Sequence, residues 1–313
     1  MVSLPEGVRL DCGLAASREM SDTRAEPANA LPPPLKTDYV RFIILSGART
    51  GSHMLAAALN SSDSIVCFRE VYNHHLPIVQ YGVDGYDEQS EADAALRQQD
   101  PQAFLRERIF CRHARGVDAI GFKWHYRHIW GLPILDTLTS DQELRVIHLR
   151  RRNELRMLVS PRIAERSGSW LEGDESKPQR TLPSTGRWGA LRQAVAGLLG
   201  GSRAPREPAP GLGQKRLLLS EKECRAFFDE MAHNVTYFEE RFAGHRLLTV
   251  FYEELLDDWT AVLDGVQSFL GVEPRALVAN TRRQNPEPLR ALIENYDGLR
   301  DAFAGTPHAA FFE

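Results

Sequence analysis

Val40-Arg41-Phe42-Ile43-Ile44-Leu45-Ser46-Gly47-Ala48-Arg49-Thr50-Gly51-Ser52-His53-Met54-Leu55-Ala56-Ala57-Ala58-Leu59 is the segment on which the fold turns. Residues 40–45 are short, mostly apolar and partly β-branched, the composition of a strand buried on both faces of a parallel sheet. Residues 54–59 are good helix formers. Between them lies a loop with two glycines, and strand, glycine loop and helix in that order make an anion-binding design. Glycines let backbone N–H groups face an oxyanion, Ser and Thr add donors, and the first turn of the helix favours negative charge. Arg49 adds a full positive charge. A nucleoside-triphosphatase loop would place lysine directly after the second glycine, and Ser52 stands there instead. Taken alone, a two-glycine turn that binds nothing is also open.

Further strands are expected at Ser64 to Phe68, Ala119 to Trp124, Arg145 to Leu149 and Leu247 to Tyr252, separated by helical patterns. Alternation of this kind gives an α/β fold, a central parallel sheet with flanking helices. Ser220-Glu221-Lys222-Glu223 is a capping box, followed by Cys224, Phe227, Phe228, Met231, Val235 and Phe238 at helical spacing. Trp259, Val262, Leu263, Val266 and Leu270 form a second core stripe ending at Gly271, and Leu289, Leu292, Ile293 and Tyr296 form a third. Residues 1–38 mix Pro, Glu, Ala and Ser without a period and read as a disordered tail. Residues 39–313 read as one domain, with a flexible insertion rich in Gly, Ser, Pro and Arg at about 167–215.

A formal net charge of -4 excludes a general nucleic-acid binder, so any anion site must be local. Cys12, Cys67, Cys111 and Cys224 are scattered, with neither zinc-ligand spacing nor a disulfide framework. A cytoplasmic location fits them. The N-terminus lacks the basic and apolar regions of a signal peptide, and no stretch is apolar for the length of a bilayer, so no transmembrane anchor is expected.

Arg145-Val146-Ile147-His148-Leu149-Arg150-Arg151-Arg152-Asn153-Glu154 runs a strand into an arginine cluster at a sheet edge, and Ser160 follows eight residues after Arg152. With both segments in hand, the chain resembles the sulfotransferases that use 3'-phosphoadenosine 5'-phosphosulfate (PAPS), particularly bacterial carbohydrate sulfotransferases related to the nodulation-factor and trehalose enzymes. The G-x-R-T-G-S loop looks like that family's 5'-phosphosulfate loop, P-loop-like in form, and Arg152 with Ser160 looks like its 3'-phosphate motif. Gly121-Phe122-Lys123, Phe251-Tyr252-Glu253-Glu254-Leu255 and Thr281-Arg282-Arg283-Gln284-Asn285-Pro286 occur in the family's order.

The resemblance implies PAPS as co-substrate, released as PAP, a hydroxyl-bearing small-molecule or glycan acceptor, and no metal. It implies nucleotide contacts at Gly47, Ala48, Arg49, Thr50, Gly51, Ser52, His53, Arg152, Ser160, Arg282 and Arg283. Catalytic roles would fall to Glu70 as the base for the acceptor hydroxyl, with Arg49 and Lys123 holding developing charge. Arginine does not give up a proton readily, so Arg49 stabilises charge without acting as an acid. His74 and His75 are alternative bases, and His125 and His128 rank with them as loop histidines below Glu70. Trp170 and Trp188 in the insertion suit a stacking lid over an acceptor, although a plain linker would read the same. A nucleotide-dependent phosphotransferase and a noncatalytic nucleotide-binding module are the competing classes.

Overall fold

The computed structural model describes residues 35–83, 85–114, 116–131, 134–167, 216–279, 281 and 285–313. Most of the segment read as a tail, nearly all of the insertion with its two tryptophans, and Arg282 and Arg283 therefore lie outside the described residues.

Five parallel strands form the sheet: β1 Val40–Ser46, β2 Ile65–Phe68, β3 Ala119–His125, β4 Arg145–Arg150 and β5 Arg246–Phe251. Their order is β2-β3-β1-β4-β5. All five expected strands are present, and the α/β class holds. Leu35–Lys36 pairs antiparallel with His113–Ala114 outside this sheet. The helices that matter for the site are α1 Ser52–Leu59, α2 Glu91–Gln99, α3 Glu154–Ser167, α4 Glu221–Arg241, α5 Tyr252–Asp257, α6 Trp259–Phe269 and α7 Tyr296–Phe303. Among the described residues, no helix is long and apolar enough to cross a membrane.

Alternate residues of β1 enter different cores. Ile43 and Leu45 join Phe68, Phe122, Trp124 and Phe238, whereas Phe42 and Ile44 join Leu55, Leu59, Leu263 and Val266 on the other face. Both faces of β1 are thus covered, which is why its sequence is a continuous apolar run rather than an alternating one. A third core packs α3 and α4 against the C-terminal segment through Leu158, Phe228, Leu292 and Phe303.

The third apolar stripe is not one helix. Leu289–Leu292 stops at Ile293, which is extended and bridges to Leu217, and α7 begins afresh at Tyr296. The apolar residues there serve two short elements and a bridge. Cysteine use also differs from expectation, because Cys111 is disulfide-bonded, while Cys67 and Cys224 are buried thiols.

At Gly121, a Cβ would lie 2.3 Å from the Phe42 carbonyl oxygen and 2.5 Å from its ring. Neither the backbone of β1 nor a fully buried ring has room to yield. Gly121→Ala is therefore expected to cost about 1–3 kcal/mol of stability in urea unfolding.

Candidate active site

The strand order places a crevice at the carboxyl ends of β1 and β4, because the chain leaves β1 towards β2 on one side and leaves β4 towards β5 on the other. Open α/β sheets bind ligands at such a switch point. Ser46 at the end of β1 is level with His125 of β3 and Leu149 of β4. The glycine loop, the arginine cluster and the segment after β3 consequently meet at one height.

The loop itself is wound by two left-handed residues, Arg49 at φ 65° and Gly51 at φ 87°. A Cβ on Gly51 would fall 2.5 Å from the Tyr252 ring, so both conformation and space demand glycine. Thr50 Oγ1 donates to the Gly47 carbonyl at 3.0 Å and closes the turn. Helix α1 follows at once, with Leu55 N donating to Gly51 O. Burial lowers the pKa of Arg49, with Glu70 and Tyr252 opposing the shift, and its Nε donates to Ser160 Oγ at 2.9 Å. Arg151 donates to the Arg49 carbonyl at 3.0 Å and lies over the Tyr252 ring, 4.4 Å from its centroid. Arg151, Arg156, Ser160 and Asn285 line a pocket beside these groups.

Arg152 takes a different direction. Its guanidinium lies 4.1 Å from the Phe251 ring centroid and pairs with Glu254, and about half of its side chain is exposed. It does not adjoin Ser160 here; the arginine that donates to that hydroxyl is Arg49, and Arg151 and Arg156 line the same pocket. Glu253 accepts from the N–H groups of Arg152 and Asn153 at 3.0 and 3.3 Å, and Asn153 Oδ1 accepts from Arg156 N at 3.1 Å. These bonds fix the turn from β4 into α3 and explain why Tyr252-Glu253 stands where it does.

Glu70 follows β2 across the crevice. Lys123 N donates to Arg69 O at 3.2 Å, which extends the β2–β3 pairing to the residue before Glu70. The Glu70 carboxylate is 3.4 Å from Lys123 Nζ, 3.7 Å from His125 Nε2 and 3.6 Å from His128 Nε2. Asn73 Nδ2 donates to it at 3.2 Å. Burial pushes this carboxyl upward, but His125, Lys123, His128 and Arg127 outweigh it and hold Glu70 down at about 2. Burial takes His125 and His128 down to about 4 and about 3, so near neutral pH both rings are neutral; burial also lowers the Lys123 pKa, with Glu70 opposing the shift. His125 Nε2 is also 3.2 Å from Ser52 Oγ, which ties the Glu70 cluster to the glycine loop.

The two histidines were underweighted in sequence. A 3-10 turn, Tyr126–Gly131, begins directly after β3 and carries His128 back beside His125, the last residue of that strand. His125 and His128 therefore stack, with centroids 5.1 Å apart. The His-x-x-His spacing at a strand end was the available signal. His74 and His75 pack on each other with centroids 4.0 Å apart.

The loop after Glu70 is held from α2. Arg97, 4% exposed, donates to the carbonyls of Val71, Asn73, Leu76 and Ile78 at 2.7–3.3 Å. Nothing in Glu91–Gln99 announces this role, since a lone Arg in polar helix text reads as surface.

The chain is 28% identical to Nodulation protein H of Rhizobium tropici over 278 residues, which is 87% of this chain and 92% of that one. The chain is similar to Nodulation protein H over most of both sequences. A second such protein, from Rhizobium meliloti (strain 1021), is 27% identical over 284 residues, covering 87% of this chain and 94% of the relative. Similarity to these relatives thus extends over most of the chain. No family model matches. The crystal structure of a sulfotransferase from Alicyclobacillus acidocaldarius aligns with 87% of this chain and 93% of its own, at 15% identity and a TM-score of 0.42. A likeness at that level carries no weight for function.

Arg97→Met is expected to leave four loop carbonyls without this donor and to cost at least about 3 kcal/mol in denaturant unfolding. Lysine, lacking the planar fork, should recover little of it.

Proposed function

We propose that this protein is a sulfotransferase that moves the sulfuryl group of PAPS to a hydroxyl of a carbohydrate-like acceptor. The observation that carries the reading is the meeting, at one switch point, of an arginine-bearing glycine loop and a partly buried carboxylate. Similarity to Nodulation protein H over most of the chain supports it. The site suits an anionic co-substrate, because Arg49, Arg151 and Arg156 border the crevice with Ser160 among them.

In this reading the loop amides, Thr50, Ser52 and Arg49 hold the 5'-phosphosulfate, and charge growing on the departing phosphate is met by Arg49. Gly47, Ala48 and His53 complete the loop. Ser160 receives the 3'-phosphate, and Arg152 swings from its exposed pair with Glu254 to join it. Such a surface pair costs little to break. Glu70, ionised and partly buried, accepts the acceptor's proton, and Lys123 faces the sulfuryl oxygens. A carboxylate held at about 2 is a weak base. An acceptor hydroxyl that draws Glu70 away from Lys123 would strengthen it. Residues 39–313 act as the sulfotransferase domain, with Arg282 and Arg283 proposed as further nucleotide contacts.

Glu70→Gln keeps size and hydrogen bonding but removes the base. Titration calorimetry should show normal PAP binding while kcat falls roughly 10²- to 10⁴-fold. Arg49→Ala should weaken PAP binding and kcat together. Because Glu70 gains its proton only as pH falls towards about 2, and His125 only at about 4, kcat/KM should stay flat on the acid side through the neutral range. An acid limb near the ordinary imidazole value of ~6.5 would move the base role to a histidine.

PAP should also bind well above adenosine 5'-phosphate, each charge-assisted bond to the extra phosphate adding about 1.5–3 kcal/mol. Arg152→Ala and Ser160→Ala should each erase most of the difference. Equal affinity of the unaltered protein for both nucleotides would remove PAPS.

A further inference from the structure

Glu70, His125 and His128 do more than surround a proton-transfer site. One carboxylate oxygen and one nitrogen from each ring all lie within 4.8 Å of one another. The His125 and His128 Nε2 atoms stand 3.7 and 3.6 Å from the two Glu70 oxygens. Zinc bonds of about 2.0–2.2 Å in a tetrahedron put neighbouring donor atoms about 3.3–3.6 Å apart, so the carboxylate and rings need only small shifts to share an ion. Independently, His128 is fully buried, and among the described residues neither of its ring nitrogens has a hydrogen-bond partner. Buried polar atoms are seldom left so, and each one costs free energy. Both rings are held by β3 and the turn after it, so the nitrogens are placed before any ion arrives.

We propose that Glu70, His125 and His128 form an inhibitory site for a borderline divalent transition-metal ion, with Zn2+ the best match to two imidazoles and one carboxylate. Magnesium and calcium, which prefer all-oxygen surroundings, fit poorly. Lys123 is the internal competitor, since its ammonium is 3.4 Å from the same carboxylate, and the ion replaces it as the counter-charge. The inhibitory half of the proposal rests on the sulfotransferase reading, in which the ion occupies the lone pairs that would accept the proton. Ligation through His125 Nε2 also breaks its contact with Ser52 in the loop. The binding half stands without that reading.

The test is titration calorimetry of the full chain, cleared of metal by chelation, with ZnCl2 as the probe. One ion per chain should bind at micromolar or lower concentration. His128→Gln and Glu70→Gln should each weaken binding at least tenfold, while His75→Ala, outside the cluster, should not. Should the variants fold poorly by circular dichroism, Co2+ in the unaltered protein gives a second measurement, with the intense visible absorption of a four-coordinate ion expected. Zinc should abolish sulfuryl transfer, and chelator should restore it. Absence of zinc binding, or binding unchanged in both ligand variants, overturns the site. Binding through these residues in an enzyme that stays fully active overturns the inhibitory role. Zinc bound through the three residues in a protein that binds no PAP would uphold the site and sink the sulfotransferase reading instead.

Discussion

The register of β1 between β3 and β4 sets the height of every chemical group at the site, because parallel strands fix their ends relative to one another by backbone hydrogen bonds. With Ser46 level with His125 and Leu149, the glycine loop, the histidine turn and the arginine cluster emerge side by side. A slip of one residue would reverse the faces of β1 and exchange the residues of its two cores. The same contacts that bury Ile43 and Phe42 on opposite faces thus hold Arg49, Lys123 and Arg151 at a common edge. Gly121 is part of this constraint, since the space its missing side chain leaves is filled by Phe42.

Electrostatically the crevice has two halves of different character. On the β4 side, the Arg49 guanidinium donates to the Ser160 hydroxyl and that of Arg151 lies over the Tyr252 ring. On the β2 side, one carboxylate is enclosed by an ammonium and two neutral imidazoles. The halves are joined through Ser52 and His125. A ligand that draws on one half is therefore coupled to the other through this hydroxyl–imidazole contact and through the charges of Arg49 and Glu70, which makes Ser52 more than a loop donor.

The strands were legible because parallel strands buried on both faces are written as short apolar runs, and the loop because its glycines and arginine are contiguous. Glu70 and Lys123 were singled out through family likeness, and the structure brings them within 3.4 Å. What escaped notice depends on distance in three dimensions. Arg97 lies 19–26 residues from the carbonyls it binds. His125 and His128 became a pair only through a 3-10 turn that polar and aromatic text does not specify. Arg152 and Ser160, eight apart in sequence, point to different neighbours because Phe251 and Glu254 offer Arg152 a surface position. The apolar stripe from Leu289 to Tyr296 misled because burial alone does not distinguish a helix from a bridge.

Arg97 also divides the molecule in time. The segment from Val71 to Ile78 forms no sheet ladder; Val71 and Tyr72 are buried in the core, and Arg97 of α2 ties four of its carbonyls, which couples the rest of the loop to that helix. The glycine loop, by contrast, is anchored to the central strand, whose opening requires the sheet itself to come apart. Local opening of α2 would consequently loosen the loop after Glu70 while leaving the glycine loop formed. The order of that loop would then be governed by the docking of a nine-residue helix rather than by the stability of the whole chain.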